Sequence, residues 1–148
     1  MKKTAHIFTF RFFDFENNTV RIGGTETYSL NLAKLFVRMG YETTVYISLD
    51  KKENLNETTY NGIRVKEVAK GKSHDEAFGK IYNAHNGEGL YVVMTEDMKV
   101  YSKDKPNVIT IQHGILWDNP SWAYSKKHQK GFRFSFRKFY RCHRYICR

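Results

Sequence analysis

The chain has few cysteines and no long apolar segment. Only two of its 148 residues are cysteines, Cys142 and Cys147, and such a pair near one chain end does not form a disulfide framework. No run approaches the roughly 20 apolar residues of a membrane span. The N-terminus is basic, but no small-residue cleavage site of a signal peptide follows it. Reduced thiols and a cytoplasmic location are therefore expected.

Several common catalytic and ligand-binding motifs are also absent. The chain contains no G-x-G-x-x-G, Walker A, G-x-S-x-G or H-E-x-x-H pattern, which disfavours NAD binding and a self-contained nucleophile or zinc centre. His128 and His143 lie near the cysteines, so a zinc cluster is one alternative. Because their spacing matches no standard zinc finger, no metal is expected.

Acidic residues are missing from the last part of the chain. Asp118 is the final one, and nine lysines and arginines follow it. Subtracting these nine from the net charge of +10 leaves +1 for residues 1–125. The sequence therefore predicts a nearly neutral domain with a strongly basic tail.

What is present favours one folded α/β domain. Hydrophobic residues make up 41% and aromatic residues 16% of the chain, which argues against disorder. Short apolar segments alternate with helical periodicity, a pattern typical of an open, mostly parallel sheet flanked by helices. The predicted strands are 6–13, 42–49, 63–68, 90–95 and 108–112, and the predicted helices are 25–39, a segment that begins at Ser73 and ends at Gly87–Gly89, 96–101 and 121–148.

Three finer expectations accompany this assignment. The strict alternation in 63–68 predicts an edge or half-exposed strand, whereas 90–95 and 108–112 are expected to be buried. Polar loops are expected at 14–22 and 50–60. The first helix is expected to bury one apolar face, which consists of Tyr28, Leu32, Leu35, Phe36 and Met39 and is widened by Leu30, Ala33 and Val37. The second is expected to begin with a Ser73–Glu76 cap and to bury Ala77, Phe78, Ile81 and Ala84.

The most informative local feature is the pair Gly23-Gly24, which stands between the first strand and the first long helix. Adjacent glycines permit positive φ and close backbone approach. The helix behind them offers unpaired N–H groups and a positive dipole end, which suit a phosphate or carboxylate. A glycine that only changes the chain direction is the simpler alternative.

A second segment, His113-Gly114, follows the last predicted strand. In open α/β sheets, ligands bind beyond the C-terminal strand ends, so both glycine-containing segments are expected at one shared site. Alternatives stay open for the neighbouring polar residues. His113 hydrogen-bonds a ligand or caps the strand, Asp118 binds a ligand hydroxyl or caps the next helix, and Glu26 contacts a ligand or complements the helix dipole.

Two segments resemble family 4 glycosyltransferases of the GT-B fold. The stretch from Gly23-Gly24-Thr25-Glu26 to Tyr46 is similar to the N-terminal half of these enzymes, and Gln112 to Pro120 is similar to their His-Gly segment. The resemblance implies a Rossmann-like N-terminal, acceptor-binding domain across 1–148. It would face a second domain that binds a nucleotide-sugar.

The resemblance also implies a chemistry. The family retains anomeric configuration and usually needs no metal or other cofactor. By analogy Gly23, Gly24 and Gly114 approach the donor diphosphate and sugar, and His113 contacts the transferred sugar as the catalytic residue. The acceptor would be a polysaccharide, a lipid-linked glycan or another cell-envelope glycan. The paired glutamates and the donor-binding domain have no counterpart before Arg148, so the chain alone is expected to be inactive.

The basic segment 121–148 is read as one aromatic, amphipathic helix. One reading places it on an anionic membrane surface, with aromatics inserted and arginines at headgroups. The other readings are packing on the sheet or against the second domain. A non-catalytic module that binds anionic membranes or nucleic acid is the alternative function, and a stand-alone sugar-phosphate binding module is a third. The membrane-surface candidates are Phe132, Arg133, Phe136, Arg137, Arg141 and Arg144.

Overall fold

The computed structural model describes residues 3–50, 53–94 and 105–111. These residues form eight strands and two α-helices. In chain order the elements are β1 Thr4–Thr9, β2 Phe13–Asp14, β3 Thr19–Val20, α1 Gly24–Arg38, β4 Glu42–Leu49, β5 Glu57–Tyr60, β6 Ile63–Ala69, α2 His74–Ala84, β7 Leu90–Val93 and β8 Val108–Thr110. The predicted helices at 96–101 and 121–148 lie outside the described residues.

The main sheet has the order β5-β6-β4-β1-β7-β8. All of its pairings are parallel except the antiparallel pairing of β5 with β6. The five parallel strands therefore follow the order 3-2-1-4-5 in chain sequence, which is the doubly wound, Rossmann-like order. This confirms the predicted α/β class with a mostly parallel open sheet.

The two helices cover opposite faces of this sheet. Ala33 and Phe36 of α1 pack with Ile7 and Val45, whereas Phe78 of α2 belongs to a second core cluster. That cluster also contains Phe8, Tyr46, Tyr91, Val93 and Val108. Successive strand residues point to opposite faces, so each central strand contributes to both cores.

The connection from β4 to β6 has no helix. The chain passes through β5, which runs antiparallel at the edge, and returns through a turn at Asn61-Gly62, where φ is 51° and 77°. Positive φ at both central residues is typical of a type I′ hairpin turn. The predicted turn is confirmed, but 50–60 is not wholly loop. Within the described sheet β6 is an inner strand, and only its predicted half exposure is correct.

The buried face of α1 differs from the predicted one. Ser29, Ala33 and Phe36 are buried, whereas Tyr28, Leu35 and Met39 are about half exposed, at 47%, 50% and 56%. The small side chains of Ser29 and Ala33 allow the helix to approach the sheet closely. Of the predicted residues, Ala33 and Phe36 are buried, and the buried face is turned toward Ser29 and Ala33. The predicted end is confirmed, because Gly40 follows with a φ of 81°.

The first strand is shorter than predicted and starts earlier. β1 ends at Thr9, whose hydroxyl donates a hydrogen bond to the Arg11 carbonyl 3.0 Å away. Phe12 and Phe13 remain buried although they have left the main sheet. Phe13 begins a small β2–β3 hairpin, the rest of which lies within 14–22, the segment predicted as loop. Apolar character correctly indicated burial here but not sheet membership.

The last described elements bring two further corrections. Ala84 of α2 is exposed, whereas Ala77 and Phe78 are buried. β8 was expected to be buried, but Ile109 is 48% exposed. The reason is that β8 is the outermost strand beside β7 in the described part of the sheet. The short strand β7 is buried over Tyr91–Val93, as predicted.

Candidate functional site

The candidate site lies at the edge of the sheet where the parallel strands end. A crossover helix between parallel strands runs antiparallel to them, so α1 and α2 both begin at this edge. The strand order reverses between β1 and β7, on either side of which the chain winds in opposite directions. In open α/β sheets this reversal creates the ligand-binding crevice. Gly23 and Gly24 therefore lie at the ligand-binding edge of the fold.

Gly23 is the N-cap of α1 and adopts an extended conformation, with φ 175° and ψ 163°. Gly23 is extended and Gly24 is helical, so neither adopts the left-handed conformation that adjacent glycines permit. The close approach is real at Gly23. A β-carbon there would collide with the Glu26 carboxylate, whose carbon would be 2.9 Å away. A side chain at position 23 would require the Glu26 carboxylate to move.

Glu26 occupies the third helical position and covers the N-terminus of its own helix. A glutamate at this position is the second half of a capping box, and its charge complements the positive end of the dipole. Gly23 provides no side-chain cap of its own. The Glu26 carboxylate therefore lies at the position where an external anion is most favoured, and such an anion has to compete with it.

Gly24 is the open position of the pair. A β-carbon at Gly24 would meet no atom within 4 Å, and its backbone is helical. Fold geometry therefore does not require glycine at this position. Beside it Ile22 is fully exposed, an apolar side chain on the rim that the sequence analysis did not single out. Backbone N–H groups, an open glycine and an apolar rim suit an anionic ligand with an apolar portion.

A polar cluster on the α2 side of the same edge was missed by the sequence analysis. The Ser48 hydroxyl lies 2.9 Å from Nδ1 of His74, and the ring of Phe10 contacts the His74 ring in a tilted arrangement with centroids 4.2 Å apart. Lys70 donates a hydrogen bond to Asp50 over 2.9 Å, which lowers the pKa of that carboxyl. These residues come from three separate segments. Only the sheet order brings them together, so no local motif signals the cluster.

The cap of α2 is formed as predicted, with one difference in the return bond. The Ser73 hydroxyl accepts a hydrogen bond from the backbone N–H of Glu76 at 3.2 Å. The Glu76 carboxylate accepts from the backbone N–H of Lys72 at 2.8 Å. The first turn of α2 is thus capped from within the chain. Its acidic residues, Asp75 and Glu76, make it a poorer anion site than α1.

For the second predicted segment, His113-Gly114, the structure describes only the strand that leads to it. β8 is parallel to β7, and the backbone N–H of Ile111 donates to the carbonyl of Val93 at 2.8 Å. Ile111 thus lies at the same edge as the start of α1. His113, Gly114 and Asp118 lie outside the described residues, as do the basic and aromatic residues of 121–148. Their proposed roles stay predictions.

Two further features concern metals and membranes. Within residues 3–50, 53–94 and 105–111, no three His, Cys, Asp or Glu residues are grouped in a way that could hold a metal ion. No helix in that part of the chain is long and apolar enough to cross a membrane.

In comparisons with known proteins, no family model, no curated protein and no solved structure matches this chain.

Proposed function

We propose that this chain is the acceptor-side, N-terminal domain of a retaining glycosyltransferase of the GT-B type, similar to family 4. Such an enzyme moves a sugar from a nucleotide-sugar to a glycan or lipid-linked acceptor. The observation that carries the proposal is the open Gly24 at the start of α1, on the edge where the strand order reverses. This is where a doubly wound sheet accepts a phosphorylated ligand.

The proposed chemistry requires stabilisation of a leaving diphosphate. Backbone N–H groups at the start of α1 donate hydrogen bonds to the diphosphate oxygens, and the helix dipole adds positive potential. No side chain at Gly24 blocks this approach. Glu26 moves off the helix end as the diphosphate arrives, because its negative charge repels a second anion at the same helix end. His113 contacts the transferred sugar in this proposal, as the family resemblance implies.

A second, donor-binding domain supplies the rest of the site in this proposal. The chain supplies only one side of the site in this proposal, so it binds a nucleotide-sugar weakly by itself. We expect a dissociation constant in the millimolar range, on the order of 4 kcal/mol of binding free energy. Transfer itself is expected only when both domains face each other. The enzyme is expected to work in the cytoplasm, on acceptors at the inner membrane surface.

The direct test is a titration of the 148-residue chain followed by the backbone amide signals in NMR. UDP-glucose and GDP-mannose serve as probes, with inorganic phosphate as a third. The proposal expects saturable shifts at Gly23, Gly24 and Thr25 with at least one nucleotide-sugar. Shifts confined to residues distant from this edge would contradict it.

The matched variants are Gly24→Ala and Gly79→Ala. Both glycines are helical, and a β-carbon meets no atom within 4 Å at either position, so both proteins are expected to fold. Gly79 lies in α2, away from the start of α1. We expect Gly24→Ala to weaken nucleotide-sugar binding at least several-fold and Gly79→Ala to leave it unchanged. Equal affinities in the two variants would overturn the proposed role of Gly24.

A further inference from the structure

Two histidines and a tyrosine meet at the end of the sheet opposite the candidate site. Nδ1 of His6 in β1 lies 3.4 Å from the hydroxyl of Tyr46 in β4. Nε2 of His85, which follows the last residue of α2, lies 3.2 Å from the same hydroxyl. The two imidazole rings also contact each other, with centroids 4.4 Å apart. One hydroxyl therefore links the central strand, its neighbour and the end of α2.

The Tyr46 hydroxyl can satisfy both hydrogen bonds while at least one of the two imidazoles is neutral. The Tyr46 hydroxyl has one proton to donate and accepts in return. It can donate to one histidine nitrogen and accept an N–H from the other. If either histidine carries a proton on both nitrogens, the nitrogen that faces Tyr46 becomes a donor. The tautomers of His6 and His85 are thus coupled through this hydroxyl.

The other nitrogen of His6 is buried without a partner. His6 is 3% exposed, and among the described residues no group hydrogen-bonds its Nε2. A second N–H at this position would leave a buried cationic donor unsatisfied, which is costly. Gly89 covers this nitrogen, since a β-carbon on Gly89 would lie 3.3 Å from Nε2. Exposing Nε2 to water requires the covering loop to move.

The covering loop runs from His85 to Gly89 and is closed by identifiable bonds. The Asn107 side-chain amide donates to the carbonyls of Gly87 and Gly89 at 2.6 and 2.7 Å. The Tyr91 hydroxyl donates to the Glu88 carbonyl at 2.8 Å. These bonds involve neutral groups and do not change with pH near neutrality. The groups of this closure that a proton can alter are the two histidines, His6 and His85.

We propose that His6, Tyr46 and His85 form an acid-sensitive latch that holds the loop 85–89 and the C-terminal end of α2 against the sheet. With both imidazoles neutral, the shared hydroxyl closes the latch. When His6 takes up a proton from water, its buried Nε2–H has no acceptor and its charge faces His85. The loop then opens to hydrate the ring, while the centre of the sheet stays folded.

The groups around His6 disfavour its protonated form. Burial, reinforced by the neighbouring His85, lowers the pKa of His6 to about 4. The other titratable groups that face it are tyrosines: Tyr46 from β4 and Tyr91 from β7, whose ring stacks 4.7 Å from His6. Burial raises the pKa of both phenols, so both stay neutral. Glu88 bonds to Tyr91 through its backbone carbonyl.

The test is amide hydrogen exchange of the full chain between pH 7 and pH 4, with imidazole signals followed by NMR. After correction for intrinsic exchange rates, we expect residues 85–89 and the last turn of α2 to lose protection as His6 titrates. The β4 amides of Val45 to Ile47 serve as the internal reference and should keep theirs. Simultaneous loss of protection at both sites would mean global unfolding and would overturn the latch.

Two substitutions distinguish a latch from a buried histidine that does not affect the loop. His85→Gln removes the neighbouring charge at an exposed position and should shift the titration of His6 toward higher pH. Tyr46→Phe removes the shared hydroxyl and should raise exchange of 85–89 already at pH 7. His74→Gln, at the other end of α2, is the control and should leave both unchanged. An unaltered His6 titration in His85→Gln, or normal protection in Tyr46→Phe, would refute the latch.

Discussion

The Glu26 carboxylate lies against the α-carbon of Gly23, in the space that a β-carbon would occupy. This contact gives the two adjacent glycines different roles. Gly23 leaves room for the Glu26 carboxylate beside the start of α1, whereas Gly24 faces open space. Gly23 therefore has a structural role, whereas Gly24 is available to a ligand. A capping interpretation and a binding interpretation can be tested at separate positions.

Gly23→Ala is expected to destabilise the chain by about 1 kcal/mol, the usual scale for a disturbed helix cap. The added methyl group displaces the Glu26 carboxylate, and alanine is a poorer N-cap than glycine. Urea unfolding of a double-mutant cycle with Glu26→Ala measures the coupling. The cost of Gly23→Ala should be smaller when Glu26 is already absent. Equal costs in both backgrounds would show that the two residues do not interact.

Glu26→Gln is expected to strengthen anion binding at the start of α1. The substitution keeps the size of the side chain but removes the charge that competes with an external anion. We expect several-fold tighter binding of inorganic phosphate or UDP-glucose, measured by amide shifts at low salt, with fold stability reduced by less than about 1 kcal/mol. Weaker binding would instead identify Glu26 as a ligand contact, which is the alternative the sequence leaves open.

Much of the fold follows from local signals in the sequence. β4 has the predicted bounds, and the hairpin turn and both helices occur where periodicity and capping residues place them. The misassigned features depend on tertiary context. β1 stops at Thr9 although apolar residues continue, and β8 is partly exposed because it is outermost in the described sheet. Apolar content predicts burial but not which neighbour provides it.

The candidate site also has one part that local sequence signals predict and another that depends on tertiary contacts. Gly23-Gly24 was recognisable because strand, glycine and helix follow each other in sequence. The Ser48–His74 pair and the His6–Tyr46–His85 group join residues 26 to 40 positions apart. No spacing rule predicts such contacts before the strand order is known. Buried histidines are also hard to detect from sequence, because a histidine within an apolar strand has no distinguishing pattern.

Gly62→Ala is expected to cost about 1 to 2 kcal/mol of folding free energy, because Gly62 has a φ of 77° and a β-carbon disfavours this region. The matched change Gly79→Ala, in a helix interior with open space, should instead stabilise by about 0.5 to 1 kcal/mol. Thermal or urea unfolding of both variants provides the comparison. A neutral Gly62→Ala variant would contradict the type I′ turn.

Asn107→Ala is expected to destabilise the chain by about 2 kcal/mol, because two carbonyls lose their donor. The Asn107 amide bonds to Gly87 and Gly89, and its oxygen accepts from the Tyr82 hydroxyl at 3.3 Å. Asn107→Asp keeps the acceptor and removes the donor, so it should be at least as damaging at neutral pH. Urea unfolding of both variants separates these contributions. A mild Asn107→Asp variant would show that the donated bonds contribute little.

Acid should destabilise the fold through His6. The pKa of His6 is about 4 in the folded chain against an ordinary value of 6.5 for histidine, so the unfolded chain binds the proton more readily. Stability is therefore full above pH 6.5 and falls as pH decreases toward 4, by up to about 3 kcal/mol. Urea unfolding at several pH values measures this slope. His6→Gln should remove this part of the slope, leaving the smaller contribution of exposed carboxylates such as Asp14 and Asp50, whose lowered pKa values act below about pH 4. If wild type and His6→Gln lose stability in parallel between pH 7 and pH 5, the histidine is not buried in its neutral form.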